Sequence, residues 1–332
     1  MKKILLASTA IVAFCGAAAA DVSLSGRAEM GIVDSDADDI SAQFFTDIDV
    51  TFTMSGETDG GLAFGASVDL DEGGDGSAAS DDNSDDGGAT IFISGGFGTV
   101  TMGDTDGALD WALSDAGNNN NGGSINDDET EHAGYNGSYL DGDGGNDGQI
   151  LRYNYTAGAF GFAISYEQGD TDFEDFDFGD ERTESDESDG FAIGVRYGLD
   201  IAAGTVNFGL GYQEVDVDGD DNDLDGIGLS IAATFDNGLA AGITYLDGEF
   251  DGDDEGDDHI GVGIGYTTGA ITLHANYGQY DYGDDSEAEG FGLSAAYDLG
   301  GGAVVHAGYG DSDFDDDDAD FSTFSLGLGL SF

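Results

Sequence analysis

The sequence predicts an all-β fold, a transmembrane antiparallel up-and-down β-barrel of 16 strands, and three observations support this prediction. Apolar residues alternate with small or polar residues in segment after segment. Many of the apolar rows end in tyrosine. Short glycine-containing turns alternate with long acidic loops. These features describe a sheet with one apolar and one polar face, which must close on itself if no edge is to meet lipid.

The beginning of the chain has the composition of a secretory signal. A positively charged start leads into an apolar run over 4–14, and small residues at 17–20 offer a cleavage site. We therefore expect residues 1–20 to be a signal peptide and residues 21–332 to form one barrel. Cys15 leaves a lipoprotein signal as an alternative, but the bulky residue before it disfavours lipidation.

Composition excludes several classes of protein. The chain has 71 acidic residues against 6 lysines and arginines, and its formal net charge is −65. Such a charge repels nucleic acid phosphates and disfavours a compact soluble monomer. Cys15 is the only cysteine, so a disulfide framework is excluded. No segment after the leader approaches the length of a membrane-spanning apolar helix, which requires about 18 or more consecutive apolar residues.

The C-terminal segment shows the alternation most clearly. Phe324, Leu326, Leu328, Leu330 and Phe332 share one face, and serines and glycines form the other. Strict alternation is typical of a β-strand with one apolar face. Tyrosine at the ends of such rows suits the interface between membrane and water. The same pattern recurs at 160–166, 191–197, 206–212, 260–266 and 291–297.

Sixteen segments carry the strand pattern, and an even count suits a bacterial barrel. Short turns on one side and long loops on the other indicate that the turns are periplasmic and the acidic loops external. The predicted strands are 22–33, 43–56, 61–70, 89–94, 98–104, 149–157, 160–168, 190–198, 203–214, 224–236, 238–247, 258–268, 270–280, 289–298, 302–311 and 321–332.

Several segments also resemble a known family, in order along the mature chain. They are 22–31, 52–56 with 61–65, 93–104, 153–160, 299–303 and the terminal Phe332. On these segments the chain resembles the trimeric, sixteen-stranded general porins of the alphaproteobacterial type. The acidic loops contribute little to the likeness.

The resemblance implies a function and an assembly. It implies a homotrimer in the outer membrane of a Gram-negative bacterium, in which each barrel is a water-filled channel for passive diffusion of small hydrophilic solutes and ions. It implies neither catalysis nor a required cofactor. It further implies that the third long loop, about 105–148, folds inward and narrows the pore, which accounts for a loop of this length.

A ring of fixed charges at the narrowest point would filter solutes by size and charge. The resemblance implies carboxylates on the loop and basic groups on the facing wall. Successive side chains of a strand point to opposite faces, and this alternation places Arg27, Arg152 and Arg196 on the lumenal face. The cost of a charged side chain in lipid would by itself place them there as well. The loop candidates are Asp104, Asp106, Asp110, Asp115, Asp127, Asp128, Glu129 and Glu131.

The same parity places four acids at the pore lining, namely Glu29, Asp47, Asp49 and Asp69. The family usually has a richer basic cluster than this chain offers. Since few cations oppose these carboxylates, we expect a negative pore interior and cation selectivity.

The acidic loops also raise the question of calcium, because carboxylates suit Ca²⁺. Asp251, Asp253 and Asp254 are candidate ligands, whereas a solvated hydrophilic surface explains the same charge without a metal. The four histidines show no metal-ligand spacing, and we expect those with lumen parity to line the pore. Trp111 is expected to anchor the inward loop to the wall.

Three alternative functions remain open from the sequence. A substrate-specific outer-membrane channel would share this fold. A secreted acidic calcium-binding protein would not need the terminal phenylalanine or the tyrosine-ended rows. An outer-membrane enzyme would need a nucleophile with a histidine base, and no such pair stands out.

Overall fold

The computed structural model describes residues 21–36, 40–73, 88–125, 129–135, 149–168, 188–217, 224–250, 257–282, 286–315 and 319–332. The predicted signal peptide lies outside these residues. Within this part of the chain, no helix has the length and apolar character needed to span a membrane.

The described residues form a closed antiparallel barrel of 16 strands, which confirms the predicted fold class. Each strand pairs with its neighbours in the chain, and β1 pairs with β16 to close the sheet. The strands are β1 Asp21–Ser35, β2 Ile40–Glu57, β3 Ala63–Gly73, β4 Ala89–Gly95, β5 Gly98–Gly103, β6 Gln149–Ala157, β7 Phe160–Gln168, β8 Ser188–Ile201, β9 Gly204–Val217, β10 Leu224–Phe235, β11 Leu239–Phe250, β12 Asp257–Thr268, β13 Ile271–Asp281, β14 Glu287–Gly300, β15 Ala303–Phe314 and β16 Phe321–Ser331.

The two ends of the barrel differ as the sequence predicts. At one end, the short-turn end, the connections are brief, as at 158–159 and 269–270. In the turn 236–238, the Asn237 side chain accepts a hydrogen bond from the amide of Leu239, and Gly238 adopts a φ of 91°. A positive φ favours glycine there. The opposite end, the long-loop end, carries the longer acidic connections.

The outer face of the barrel is apolar, and the inner face is small and polar. On β12, Ile260, Val262 and Ile264 are exposed outward, while the residues between them are buried. The chain ends meet where the Phe332 amide donates to the carbonyl of Gly26 at 2.9 Å. Closure gives every described strand a neighbour on both sides, as a sheet in lipid requires.

Several strands extend further toward the long-loop end than the alternation predicts. β9 continues to Val217, β11 to Phe250 and β15 to Phe314, each within a predicted acidic loop. Hydrogen bonding between strand backbones does not depend on apolar side chains. The strands therefore remain paired beyond the region in which their outward side chains are apolar. Apolar alternation therefore marks only part of each strand.

Candidate functional site

The loop that follows β5 lies inside the barrel, in its described parts 104–125 and 129–135. It contains a short helix, α1 Ala108–Ala112, and a 3₁₀ turn at Ala116–Asn118, so the segment is less irregular than the sequence predicts. The helix contacts β7, β8 and β9, and the 3₁₀ turn contacts β11, β12 and β13. Further along, Ile125 lies against glycines of β1 and β16. The loop therefore follows the inner wall around much of the barrel.

Hydroxyl groups of the wall accept hydrogen bonds from the loop backbone. The amide of Ala108 donates to Ser165 at 2.8 Å, and that of Ser114 donates to Ser230 at 2.8 Å. Further along, the amides of Ala116 and Ala133 donate to Thr244 at 3.1 Å and Ser312 at 3.0 Å. These inward-facing hydroxyls satisfy loop amides that are removed from water.

Three wall histidines bind carbonyl groups of the same loop. His259 Nε2 lies 2.9 Å from the carbonyl oxygen of Gly134. His274 Nδ1 lies 3.0 Å from that of Asn119, and His306 Nδ1 lies 3.1 Å from that of Gly123. A carbonyl oxygen can only accept, so each of these nitrogens carries a proton. His274 and His306, which we expected to line the pore, therefore lie between the barrel wall and the loop.

Glycines of the wall make room for the loop backbone. A Cβ added at Gly194, Gly263 or Gly278 would overlap a carbonyl oxygen of the loop. Only a residue without a side chain allows the backbones to approach this closely. The inward glycines on these strands therefore contact the loop backbone directly and are not simply exposed to water.

The first part of the loop is held by apolar packing and by Arg196. Leu109 is 1% exposed and belongs to a buried cluster with alanines of β7 and β8, and Trp111 packs against it. The Arg196 guanidinium lies 3.8 Å from the centroid of the Trp111 ring. This cation–π contact places Trp111 against the wall, as the sequence predicts. A cavity of about 530 Å³ opens beside Arg196, Thr205 and Asn207.

A second arginine contacts the loop at its start. Arg152, on β6, donates to the backbone carbonyl of Asp106 at 2.5 Å, and it lies 3.3 Å from the Asp106 carboxylate. The arginine side chain is 11% exposed and that of Asp106 is 57% exposed. The carboxylate therefore remains accessible to solvent while the arginine holds the loop.

The other predicted loop acids lie in different surroundings. Asp110 and Glu131 are exposed, and Asp104 lies at the end of β5 beside Gly88. Asp115 accepts a hydrogen bond from the amide of Gly117 at 3.0 Å, and burial raises the pKa of its carboxyl group. Glu129 is 1% exposed and lies against glycines of β15, so its side chain is turned away from the open lumen. Asp127 and Asp128 lie outside the described residues.

The predicted acids of the wall lie together on β1, β2 and β3. Glu29 lies directly opposite Asp47, and Arg27 lies opposite Asp49. Arg27 forms an ion pair with Glu29 at 2.6 Å, and Asp69 accepts a hydrogen bond from Thr51 at 2.9 Å. These side chains occupy the face opposite the exposed apolar row of the same strands.

Sequence reasoning missed the residues that position the loop. The alternation correctly predicts that these serines, threonines, histidines and glycines of the wall face inward. It does not distinguish an inward side chain that contacts water from one that contacts the loop. The only available signal was the presence of histidines and glycines on the inward row of the same strands.

The described residues contain no group of three or more histidines, cysteines or acids arranged to hold a metal ion. The calcium candidates Asp251, Asp253 and Asp254 lie outside those residues. Calcium binding by the acidic loops stays a prediction, and a chelator that lowers the melting temperature would support it.

Comparison with known proteins agrees with this architecture. A family model described as Gram-negative porin matches residues 7–317. A porin of Rhodobacter capsulatus is 31% identical over 311 residues, which span 87% of this chain and 93% of that protein. A solved porin structure that is 29% identical superposes with a TM-score of 0.70, covering 94% of this chain and 100% of that one.

More distant structures share the fold. An anion-selective porin from Comamonas acidovorans, 16% identical, gives a TM-score of 0.62 and covers 95% of this chain and 100% of that one. The barrel, the inward loop and these matches agree, and the chain belongs to the Gram-negative porin family, whose members are channels of the outer membrane.

Proposed function

We propose that this porin passes small hydrophilic solutes and ions by passive diffusion, and that it favours cations. The observation that carries the proposal is the row of acids on β1, β2 and β3. Glu29, Asp47, Asp49 and Asp69 occur there with Arg27 as the basic residue of the same wall.

The lumenal arginines offset only part of this charge. Arg27 is paired with Glu29, Arg152 contacts Asp106, and the Arg196 guanidinium stacks on Trp111. Arg27 and Arg152 each cancel the charge of one carboxylate, and Arg196 keeps its positive charge on the neutral ring. Asp47, Asp49 and Asp69 still leave the wall of β1 to β3 negative. A passage lined by charge of one sign concentrates ions of the opposite sign, since low-dielectric walls focus the field.

The loop strengthens the same effect. Because the loop lies along the wall from β7 to β16 and reaches β1 only at Ile125, the acidic wall of β1 to β3 forms the other boundary of the passage. Asp106, Asp110 and Glu131 add carboxylates on the loop. Family membership further supports a homotrimer, which a mass measurement of the detergent-solubilised protein would test.

A bilayer experiment tests the selectivity. The wild-type protein is reconstituted in a planar bilayer with a salt gradient, and the reversal potential gives the ratio of cation to anion permeability. We expect a preference for cations that falls about three- to tenfold in the triple variant Asp47→Asn/Asp49→Asn/Asp69→Asn, because the fixed field weakens.

A matched control removes three carboxylates from the outer face instead, with Glu214→Gln/Asp225→Asn/Asp258→Asn. Selectivity should then remain at the wild-type value. Anion preference in the wild-type protein, or an equal change in both variants, would refute the proposal.

A further inference from the structure

The cavity of about 530 Å³ beside Arg196 lies inside the barrel, between the inward loop and the short-turn end. The loop segment 112–114 bounds it on one side, and the turn 158–159 bounds it on the other. Arg196, Asp200 and Asn207 line it from the lumenal face of β8 and β9. Its volume suits a small solute, since ligand sites commonly measure about 300–1,000 Å³.

Arg196 presents an uncompensated positive charge to this cavity. Arg27 and Arg152 each pair with a carboxylate, whereas Arg196 forms no ion pair within the described part of the chain. Its guanidinium lies instead on the Trp111 ring, 3.8 Å from the centroid. The ring offers no carboxylate, which is the group that the planar set of guanidinium N–H donors matches best. The cavity therefore contains a donor suited to a carboxylate from a solute.

The position of this guanidinium is fixed by packing. A Cβ added at Gly161 would lie 2.8 Å from Cγ of Arg196 and 2.8 Å from Cη2 of Trp111, so a side chain there would displace both groups. An arginine that is already held in one place loses little further freedom when a ligand binds. In this respect Arg196 differs from a mobile arginine on an open surface.

Asp200 gives the cavity a negative charge at its other end. It lies on the same face of β8 as Arg196, and the two Cα atoms are about 13 Å apart at the rise of a β-strand. Its carboxylate accepts a hydrogen bond from the Thr205 hydroxyl at 3.4 Å and forms no ion pair with any described residue. Between the two charges, opposite Gly198, lies Asn207, whose amide can both donate and accept.

We propose that this cavity binds zwitterionic solutes, with their carboxylate at Arg196 and their ammonium group at Asp200. The inference rests on the proposed passage of small hydrophilic solutes and names one class among them. A simple anion is repelled by the acidic wall of β1 to β3, whereas a zwitterion has no net charge. An extended tripeptide spans about 10 Å, which is close to the separation of Arg196 and Asp200.

Triglycine tests the proposal with the full protein in a planar bilayer. At neutral pH triglycine carries both charges, N-acetyltriglycine carries only the carboxylate, and triglycine methyl ester carries only the ammonium group. We expect triglycine to lower the single-channel conductance of the wild-type protein in a saturable way. The concentration that gives half of the maximal reduction measures the binding of each compound.

Two variants identify the partner of each charge. Asp200→Asn should raise the half-maximal concentration of triglycine about two- to fivefold, the range of an exposed ion pair, and should not weaken N-acetyltriglycine. Arg196→Gln should weaken triglycine by a similar factor and should not weaken the methyl ester. Asp200→Asn leaves the contact between Arg196 and Trp111 in place, so the test remains valid if Arg196→Gln shifts the loop.

Asp298→Asn is the matched control. Asp298 lies on the inward face of β14 near its short-turn end and does not line the cavity. This variant removes the same charge as Asp200→Asn and should bind triglycine as the wild-type protein does. Conductance without triglycine verifies that each variant forms an intact channel.

The proposal fails if triglycine causes no saturable reduction in the wild-type protein. It also fails if Asp298→Asn weakens triglycine as much as Asp200→Asn does, or if Asp200→Asn weakens N-acetyltriglycine and triglycine equally. Reversal potentials in a salt gradient, recorded on the same channels without triglycine, test the cation preference separately. A channel that prefers cations but does not bind triglycine would contradict this inference alone.

Discussion

At the scale of single residues, burial within the loop holds one histidine, His132, in its neutral form. His132 is 4% exposed, and its Nδ1 accepts a hydrogen bond from the amide of Gly134 at 3.2 Å. Burial, together with the nearby His259, lowers the pKa of the His132 imidazole to about 4. The folded protein therefore holds this ring uncharged well below the pH at which a free histidine takes up a proton.

This shift predicts how stability depends on pH. Above pH 6.5 both the folded and the unfolded states hold neutral His132, so the residue contributes no pH dependence. As the pH falls from 6.5 to about 4, the unfolded state binds a proton that the folded state refuses. We expect stability to fall over this range by on the order of 1–3 kcal/mol.

Denaturant unfolding at pH 7 and pH 4.5 measures the change. Other groups also titrate here, so the informative quantity is the difference between the wild-type protein and His132→Asn, whose oxygen can replace the Nδ1 acceptor. The variant should lose less stability on acidification. An identical loss in both proteins would show that His132 makes no contribution.

At the scale of elements, the inward loop and the strands β7 to β16 behave as one packed unit. The loop backbone is bound by wall hydroxyls and histidines, and its carbonyls lie against wall glycines. The loop follows the wall because its own amides and carbonyls find partners there. Backbone contacts with the wall therefore determine the path of the loop. The exposed carboxylates of the loop face the passage.

One glycine tests this view of the loop. Gly263→Ala adds a methyl group where the carbonyl of Ala116 now lies, so the 3₁₀ turn must move away from the wall. Overpacking of this kind costs about 1–3 kcal/mol. We expect altered single-channel conductance and greater accessibility of Trp111, the sole tryptophan of the chain, to a fluorescence quencher.

Gly96→Ala is the matched control for this substitution. Gly96 lies in the short turn between β4 and β5, and a Cβ built there has no neighbour within 4 Å. Conductance and quenching should remain at wild-type values in this variant. Unchanged behaviour of Gly263→Ala would mean that the loop is not held by close contact with β12.

At the scale of the whole molecule, the barrel reverses the arrangement of a soluble protein. Its large apolar side chains lie outside, as at Ile264, which is 52% exposed, and its interior carries hydroxyls, carboxylates and histidines. The two faces should therefore respond in opposite ways to the same added charge.

Ile264→Arg places a charge on the lipid-facing row and should lower the free energy of unfolding in vesicles by about 2–4 kcal/mol. Ser67→Arg places the same charge on the inward row of β3, where water is available. This second variant should fold with nearly wild-type stability and show weaker cation preference. Urea unfolding in vesicles compares the two, and equal destabilisation would contradict the assignment of the faces.

The sequence by itself was sufficient to predict the barrel. Alternation marked all 16 strands, and glycine turns and acidic loops marked the two ends, because side chains of successive strand residues point to opposite faces. The strand ends at Val217 and Phe250 were missed, since backbone pairing above the apolar band leaves no hydrophobic signal.

Only the tertiary structure decided which inward residues meet the passage and which meet the loop. Asp47 and His274 both point inward, yet Asp47 is partly exposed on the acidic wall, whereas His274 is buried and binds the carbonyl of Asn119. The burial of Glu129 could not be predicted either. The physical reason is that the face to which a side chain points follows from its position in one strand. The course of the loop depends instead on contacts with several strands that are far apart in sequence.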